Sequence, residues 1–458
     1  MNIIKRLIVF LFFVTLLIPA TAQDFDEIDS LISKKYYKTA AEKLVQYEKL
    51  GWERMNCNIL LETYKYQQVI ADYEDTLWRF IGKLERVKWK FAPPCQNLFY
   101  LLLARSYQRF YNKNYYKIAE TTRLDRRPKD IREWSVEDFA QRIDRLYDLA
   151  LSDETLLKKT KYTYCPSVLR KGKLPPSSRP TLYDLIAYYA IDYYKDPTVR
   201  ATYVLPSINL KQEKWYLPPE KFARLEIKPY SGQDYNYKIL RLYQKLTLFH
   251  LYDNNPDALL HTTFERLEFL KKRNGVKFSY EPMRKTLQAL MDKYSGTVYE
   301  QQAKLKLAYL ELEKGDYVTA HRLANEIITY YQTHKEGEVQ DITYKNAVLL
   351  RNYIERPGLE LIAERNVIPE ENFPVFIKAK NISRLYYKVV EIDIDTYHML
   401  DKKKAEEQFV VYDSLEPVRT GYIDLPRVKN FKFFSTEYAM QGLKPGFYVI
   451  LFSNNNFN

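Results

Sequence analysis

The chain has 458 residues, enough for two or three domains with sizeable cores. Lys and Arg number 71 against 58 Asp and Glu, a formal charge of +13, and only 12 residues are glycine, which argues against a glycine-rich phosphate-binding fold. Aromatics are 15% of the chain and 42 residues are tyrosine, a composition suited to stacked helices whose rings carry a polar tip to the surface.

Residues 1–22 read as a cleaved signal peptide. Lys5 and Arg6 form a positive start, residues 7–18 are apolar, and Ala20-Thr21-Ala22 after Pro19 fits the small-x-small cleavage rule, leaving Gln23 as the mature start. An apolar run of about twelve residues is too short to span a bilayer. No cysteine stands at the cleavage point for a lipid anchor, and no later run is long enough to span. The mature chain is therefore expected in an exported compartment: the periplasm, the outer-membrane surface or the extracellular space. Export opens Cys57, Cys95 and Cys165 to oxidation. Three pairings are open and an odd number leaves one thiol over. Buried, inert thiols are the expected state, with one disulfide as the alternative.

From Phe25 the period is helical, with Phe25, Ile28, Leu31 and Ile32 on one face. After a break at Lys34-Lys35-Tyr36, a second helix carries Ala40, Ala41, Leu44 and Val45, and Gly51 is placed just past its end. A small residue three places after a tyrosine recurs at Tyr37/Ala40, Tyr116/Ala119 and Tyr317/Ala320, where the ring would fill the gap between paired helices. The clearest pair spans residues 302–331, with Ala308 on its first helix, a turn at Gly315-Asp316-Tyr317, and Ala320, Ala324 and Ile327 on its second. This unit resembles a tetratricopeptide repeat. Residues 235–251, 256–272 and 281–294 read as three further helices, with Asn255 as N-cap and Pro256 at the first helical position. Such pairs stack into an α-solenoid.

Two proline-rich stretches interrupt the stack. Residues 165–180 hold Pro166, Pro175, Pro176, Pro180 and the basic Arg170-Lys171-Gly172-Lys173; residues 205–233 hold Pro206, Pro218, Pro219, Pro229 and Gly232. Trp215, Tyr216, Leu217 and Phe222 mark the second as an ordered loop packed on helices, and residues 181–194 between them read as a short aromatic helix. The helical part is expected to end at Arg356-Pro357-Gly358. Beyond it the period changes to two, and residues 373–380, 384–396, 419–425, 431–440 and 447–452 read as strands, with residues 402–407 a charged insertion. Pro445-Gly446 fits a type II turn with positive φ at the glycine, and the strand after it is apolar on both faces. Five or six strands in about ninety residues suit a small antiparallel β-sandwich. The expected division is thus 1–22, 23–357 and 358–458.

The signal peptide, the tyrosine-rich helical region and this β-module together resemble the N-terminal part of a bacterial alpha-2-macroglobulin family protein, of the exported type with a helical prelude before its first macroglobulin domain. The residues carrying the resemblance are Pro374 to Asn381, Leu385 to Val390, and Leu443 to Ser453. The resemblance implies an endopeptidase-inhibitor family, with partners among further macroglobulin domains, attacking proteases and a cell-wall synthesis enzyme. It also implies a thioester built on a cysteine three residues before a glutamine. That offset holds Leu60 after Cys57, Leu98 after Cys95 and Val168 after Cys165, so this chain would be a truncated piece without thioester or bait region.

No residue set makes a catalytic, cofactor or metal site. His250, His261, His321, His334 and His398 are scattered, and no carboxylate stands at metal-site spacing beside His250 and His261. There is no Gly-x-Ser-x-Gly, phosphate loop or Gly-x-Gly-x-x-Gly. Basic residues mix with tryptophan at Arg123, Arg126, Arg127, Lys129, Arg132 and Trp134, and again at Lys83, Arg86, Trp89 and Lys90. Such mixtures can bind nucleic acid, but export and the interspersed acids favour a solvated helix face, with anionic lipid or cell-wall polymer as a weaker partner. The expected function is a non-enzymatic scaffold. The alternatives are a stand-alone repeat protein holding a peptide or glycan on a tyrosine-lined surface, and a carbohydrate-active enzyme.

Overall fold

A computed structural model of the chain describes residues 23–88, 90–165, 174–196, 207–229, 234–334 and 341–457. The signal-peptide reading, the basic run 170–173, Trp89, Pro206 and Gly232 lie outside the described residues. The fold is mixed: 18 α-helices, the last two of them set between strands, and two antiparallel sheets of three strands each, among the described residues. The chain divides into two compact units, one ending at Phe269 and one starting at Leu270.

The first unit opens with α1 (Gln23–Ser33), α2 (Tyr37–Glu53), α3 (Cys57–Tyr73), α4 (Leu77–Val87), α5 (Cys95–Lys113), α6 (Tyr115–Ala119) and α7 (Val136–Ala150). It continues with α8 (Glu154–Lys159), α9 (Leu182–Lys195), α10 (Pro219–Phe222), α11 (Tyr235–Tyr252) and α12 (Pro256–Asn274), which runs on past the boundary. Polar caps start half of them. Asn56 takes the Ile59 amide for α3, and Ser135/Asp138 and Thr181/Asp184 form reciprocal capping boxes for α7 and α9. Asn255 accepts the Ala258 amide as expected for an N-cap of α12. The first core joins Phe25, Ile28, Ala40, Leu44, Ile59 and Tyr66.

Several expectations are corrected here. Gly51 does not end α2: the helix runs to Glu53, and Gly51 is buried because a Cβ there would sit 2.6 Å from Leu60 Cγ on α3. Tyr116 is 86% exposed, since α6 is a single short turn whose buried residue is Ile118. Cys57 and Cys95 are not inert thiols. They open α3 and α5 with Cα atoms 6.0 Å apart, within bonding reach, and form a disulfide. Cys165 stays free and buried, and burial with the charge of Glu62 pushes its thiol up to about 12. The tyrosines do not all reach water either. Tyr183, Tyr193 and Tyr243 are fully buried, and their hydroxyls meet no partner among the described residues.

The second unit carries α13 (Val276–Lys293), α14 (Val298–Lys314), α15 (Tyr317–Thr333) and α16 (Ile342–Glu355). The sequence placed the start of α13 near Pro282, but the helix begins earlier and holds Pro282 in its interior. Gly315 ends α14 with φ +88, a conformation glycine adopts without strain, and Asp316 caps α15 by accepting the Thr319 amide. Ala308, Ala320, Ala324 and Ile327 are all buried where this pair meets its neighbours.

Strands follow directly: β1 (Gly358–Ala363), β2 (Phe373–Lys380), β3 (Arg384–Ile392), β4 (Pro417–Asp424), β5 (Phe434–Met440) and β6 (Phe447–Ser453). The sheets order as β1-β2-β5 and β4-β3-β6. Alternate residues Val375, Ile377 and Ala379 of β2 join Leu385, Tyr387 and Val389 of β3 in one apolar cluster, so the inner faces of both sheets share a core. Strand β1 escaped the sequence reading because its apolar residues stay half-exposed at a sheet edge. Strand β3 stops at Ile392, since Asp393 turns to cap α17 (Ile394–Leu400). The charged insertion 402–407 is the turn after that helix and the first turn of α18 (Ala405–Ser414), and the two helices cover Val390 and Ile392 on the outer face of β3. Gly446 lacks the positive φ of a type II turn, and β6 is an edge strand in which Leu451 is buried and Phe447 is 57% exposed. Asn381, at φ +56 between β2 and β3, donates from Nδ2 to Ile354 O at 2.8 Å and so ties the end of α16 to the sheet.

Candidate functional site

The α14/α15 pair, the unit most legible in the sequence, holds a groove of about 670 Å³ that is open to solvent. Helical spacing builds its two walls: Glu300, Gln301 and Lys304 from α14, and His321, Arg322, Asn325 and Glu326 with Thr329, Tyr330 and Thr333 from α15. Lys304 lies between Glu300 at 3.1 Å and Glu326 at 3.2 Å, and Arg322 also pairs with Glu326. His321 Nε2 sits 2.7 Å from Glu355 Oε1, its ring lies against Phe431, and Asn325 Nδ2 approaches it at 3.2 Å. Gln301 is 2% exposed and its Oε1 meets no donor among the described residues. The lining is charged and amide-rich with a single tyrosine, so it offers hydrogen bonds and paired charges to an extended polar chain. It is not an aromatic platform.

The other sequence candidates fall elsewhere. His250 is buried in the first unit, with Nε2 at 2.8 Å from Asp184 Oδ1 and Nδ1 at 3.0 Å from Asp253 Oδ2. Both ring nitrogens face carboxylate acceptors, so only the imidazolium can donate to both. Burial pulls its pKa down, but the hydrogen bonds and charges of Asp184 and Asp253 outweigh that and leave it raised. The carboxylate partner that sequence spacing did not offer thus comes from 66 residues away, as the capping residue of α9. The Asp253 contact, at a separation of three, was the one local signal. His261 accepts from Arg179 Nε at 3.0 Å, and His334 stacks on Tyr330. His398 lies on α17 beside Tyr397.

The basic runs are partly paired on the surface of the molecule. Arg127 reaches Asp138 at 3.2 Å and lies over Trp134, while Arg132 binds Asp130 and lies 4.2 Å over Trp78. Lys83 pairs with Glu48 and Lys88 with Glu85. Arg123, Arg126 and Lys129 remain exposed.

One buried cation escaped sequence reading altogether. Arg266 is fully buried and pairs with no carboxylate among the described residues; Nη1 donates to Trp215 O, and Nη2 to Leu217 O at 2.7 Å. Its guanidinium lies 3.8 Å over the Phe222 ring. Burial lowers its pKa to about 9, still well above neutrality, so it holds the loop at residues 213–217 onto α12 as a charged clamp.

Among the described residues, no group of three or more His, Cys, Asp or Glu is arranged to hold a metal ion, and no helix is long and apolar enough to cross a membrane. No protein-family model matches the chain, and no curated protein matches it in sequence.

Proposed function

We propose that the chain is a non-catalytic interaction region of an exported protein, a tetratricopeptide-like α-solenoid joined to a small β-sandwich of macroglobulin type. It would act as the N-terminal scaffold of an alpha-2-macroglobulin-like protein in the cell envelope. The observation that carries this reading is the α14/α15 groove. Its walls present paired charges and one unsatisfied buried amide, Gln301, to a polypeptide lying along the helices. Two further observations support it. The Cys57–Cys95 disulfide suits an oxidising compartment outside the cytosol. The two three-stranded sheets share one apolar core immediately after the last helix pair. In a complete relative such a region would position downstream macroglobulin domains and dock a protease or a cell-wall synthesis enzyme, with no covalent trapping of its own.

A photo-crosslinking amino acid at Thr329, in the groove, tests this in the native envelope, with Lys49 on the exposed face of α2 as control. The expected result is a defined protein adduct at Thr329, absent at Lys49, lost in the Lys304→Glu variant, and found in the exported fraction. Adducts of equal yield at both positions would sink the groove reading. Turnover of a peptide or glycan by the purified chain would sink the non-catalytic one.

A further inference from the structure

A second concavity lies in the first unit, between α3, α5 and α9. The disulfide joins the first residues of α3 and α5, and farther along Gln68 Nε2 donates to Ser106 Oγ at 2.5 Å and Arg109 meets Asp72 at 2.6 Å. The two helices therefore run parallel and nearly in register. One stripe of each faces a shared space: Leu61, Lys65 and Gln68 of α3, and Leu98, Leu101, Leu102 and Arg105 of α5. Leu182, Leu185 and Tyr189 of α9 close the third side, together with Tyr162 and the free thiol of Cys165. In α3 and α5 the leucines come first and the polar residues one to two turns later, so the space is apolar toward the disulfide and polar at its other end. The cavity measures about 90 Å³, the share of about three waters in the liquid. Close-packed interiors leave few voids of that size.

The polar end is not neutral. Lys65 pairs with Glu62, but Arg105 meets no carboxylate among the described residues; it is exposed, and its guanidinium carbon lies 4.4 Å from the centre of the Tyr189 ring. A guanidinium held this way presents its N–H edge for bidentate binding of a carboxylate.

We propose that this cavity is a binding site for a short aliphatic monocarboxylate, with the alkyl tail among Leu61, Leu98, Leu101 and Leu182 and the carboxylate on Arg105. The cavity volume limits the buried part to three or four carbons. The site shares no residue with the α14/α15 groove and stands or falls independently of it.

Methyl NMR of the leucines in the mature full chain (residues 23–458), titrated with sodium hexanoate, butyrate, acetate, butylamine and 1-pentanol, tests the proposal. Hexanoate should shift the cavity leucines with a Kd on the order of 0.1–1 mM, as fits so few heavy atoms. Butyrate should bind more weakly, and acetate and butylamine should give no shift. Arg105→Gln, at an exposed position that the fold does not need, should weaken hexanoate at least fivefold and leave pentanol unchanged. Leu102→Phe should fill the space and abolish both. An absence of leucine shifts with hexanoate would overturn the site. Equal hexanoate affinity in the wild type and Arg105→Gln would overturn the carboxylate assignment, and equal affinity in Leu102→Phe would overturn the location.

Discussion

The helical and β regions bury different chemistry. From Gln23 to Glu355 the interior includes Asp144, Asp184, Gln244, His250 and Arg266, each answered by groups from other elements. Between Gly358 and Phe457, by contrast, the buried side chains are apolar apart from Lys380 and Lys388, among the described residues. Helices satisfy their backbone internally, so their packed faces can be joined by polar contacts wherever geometry permits. The two sheets share one apolar core, and a polar side chain facing into it would lack an answering group. The helical region is therefore tuned by a few long-range polar contacts, and the β region by volume.

The sharpest way to break that contrast starts with the covalent link. Removing the disulfide with Cys57→Ser and Cys95→Ser opens a loop closed across 38 residues and should cost the first unit about 4 kcal/mol on the chain-entropy account, read by urea unfolding under oxidising conditions. In the β region Ile377→Ala, at a fully buried core position, should cost about 3.5 kcal/mol by lost transfer and cavity terms. Arg266→Met keeps most of the volume but strands two buried carbonyls, and should cost about 3 kcal/mol. If Arg266→Met were neutral while Ile377→Ala kept its cost, the polar half of the comparison would be lost.

His250 adds a pH signature. Its pKa is higher folded than unfolded, so its contribution is complete below the ordinary histidine pKa and fades as pH rises through the raised folded value. His250→Gln should cost about 2 kcal/mol at pH 5.5, from charge-assisted hydrogen bonds to two carboxylates, and distinctly less at pH 9. A pH-independent difference in thermal unfolding would show that His250 is not held as the imidazolium. The smallest effect is expected on the sheet surface, where Lys378→Ala removes a half-exposed pair with Glu360 worth at most about 0.5 kcal/mol.

The same contrast explains what could be read in advance. The alternation in β2 and β3 marked both as strands, because a sheet face repeats every second residue. Gly315-Asp316 and Asn255 marked helix ends, because capping acts within three residues. The helix ending at Glu355 and the strand starting at Gly358 fall on the predicted breaker at Pro357. The groove was half legible: its helix pair was, but its charged lining was not, since helical spacing alone does not say which face meets a neighbour. Gly51, Pro282 and Gly446 misled for one reason. Each is a good local signal for an end or turn, and each was overruled by packing or by a longer helix.

By itself the sequence determined the local grammar: caps, the change of period near Gly358, and the alternation along the strands. These depend on residues within one turn or one pleat of each other. Only the tertiary structure decided that Cys57 meets Cys95, that Asp184 answers His250 and that Arg266 holds the loop carbonyls, contacts bridging 38, 66 and about 50 residues. The leucine-lined cavity belongs with these. Such contacts depend on how whole helices lie against one another, and no short-range spacing along the chain encodes that.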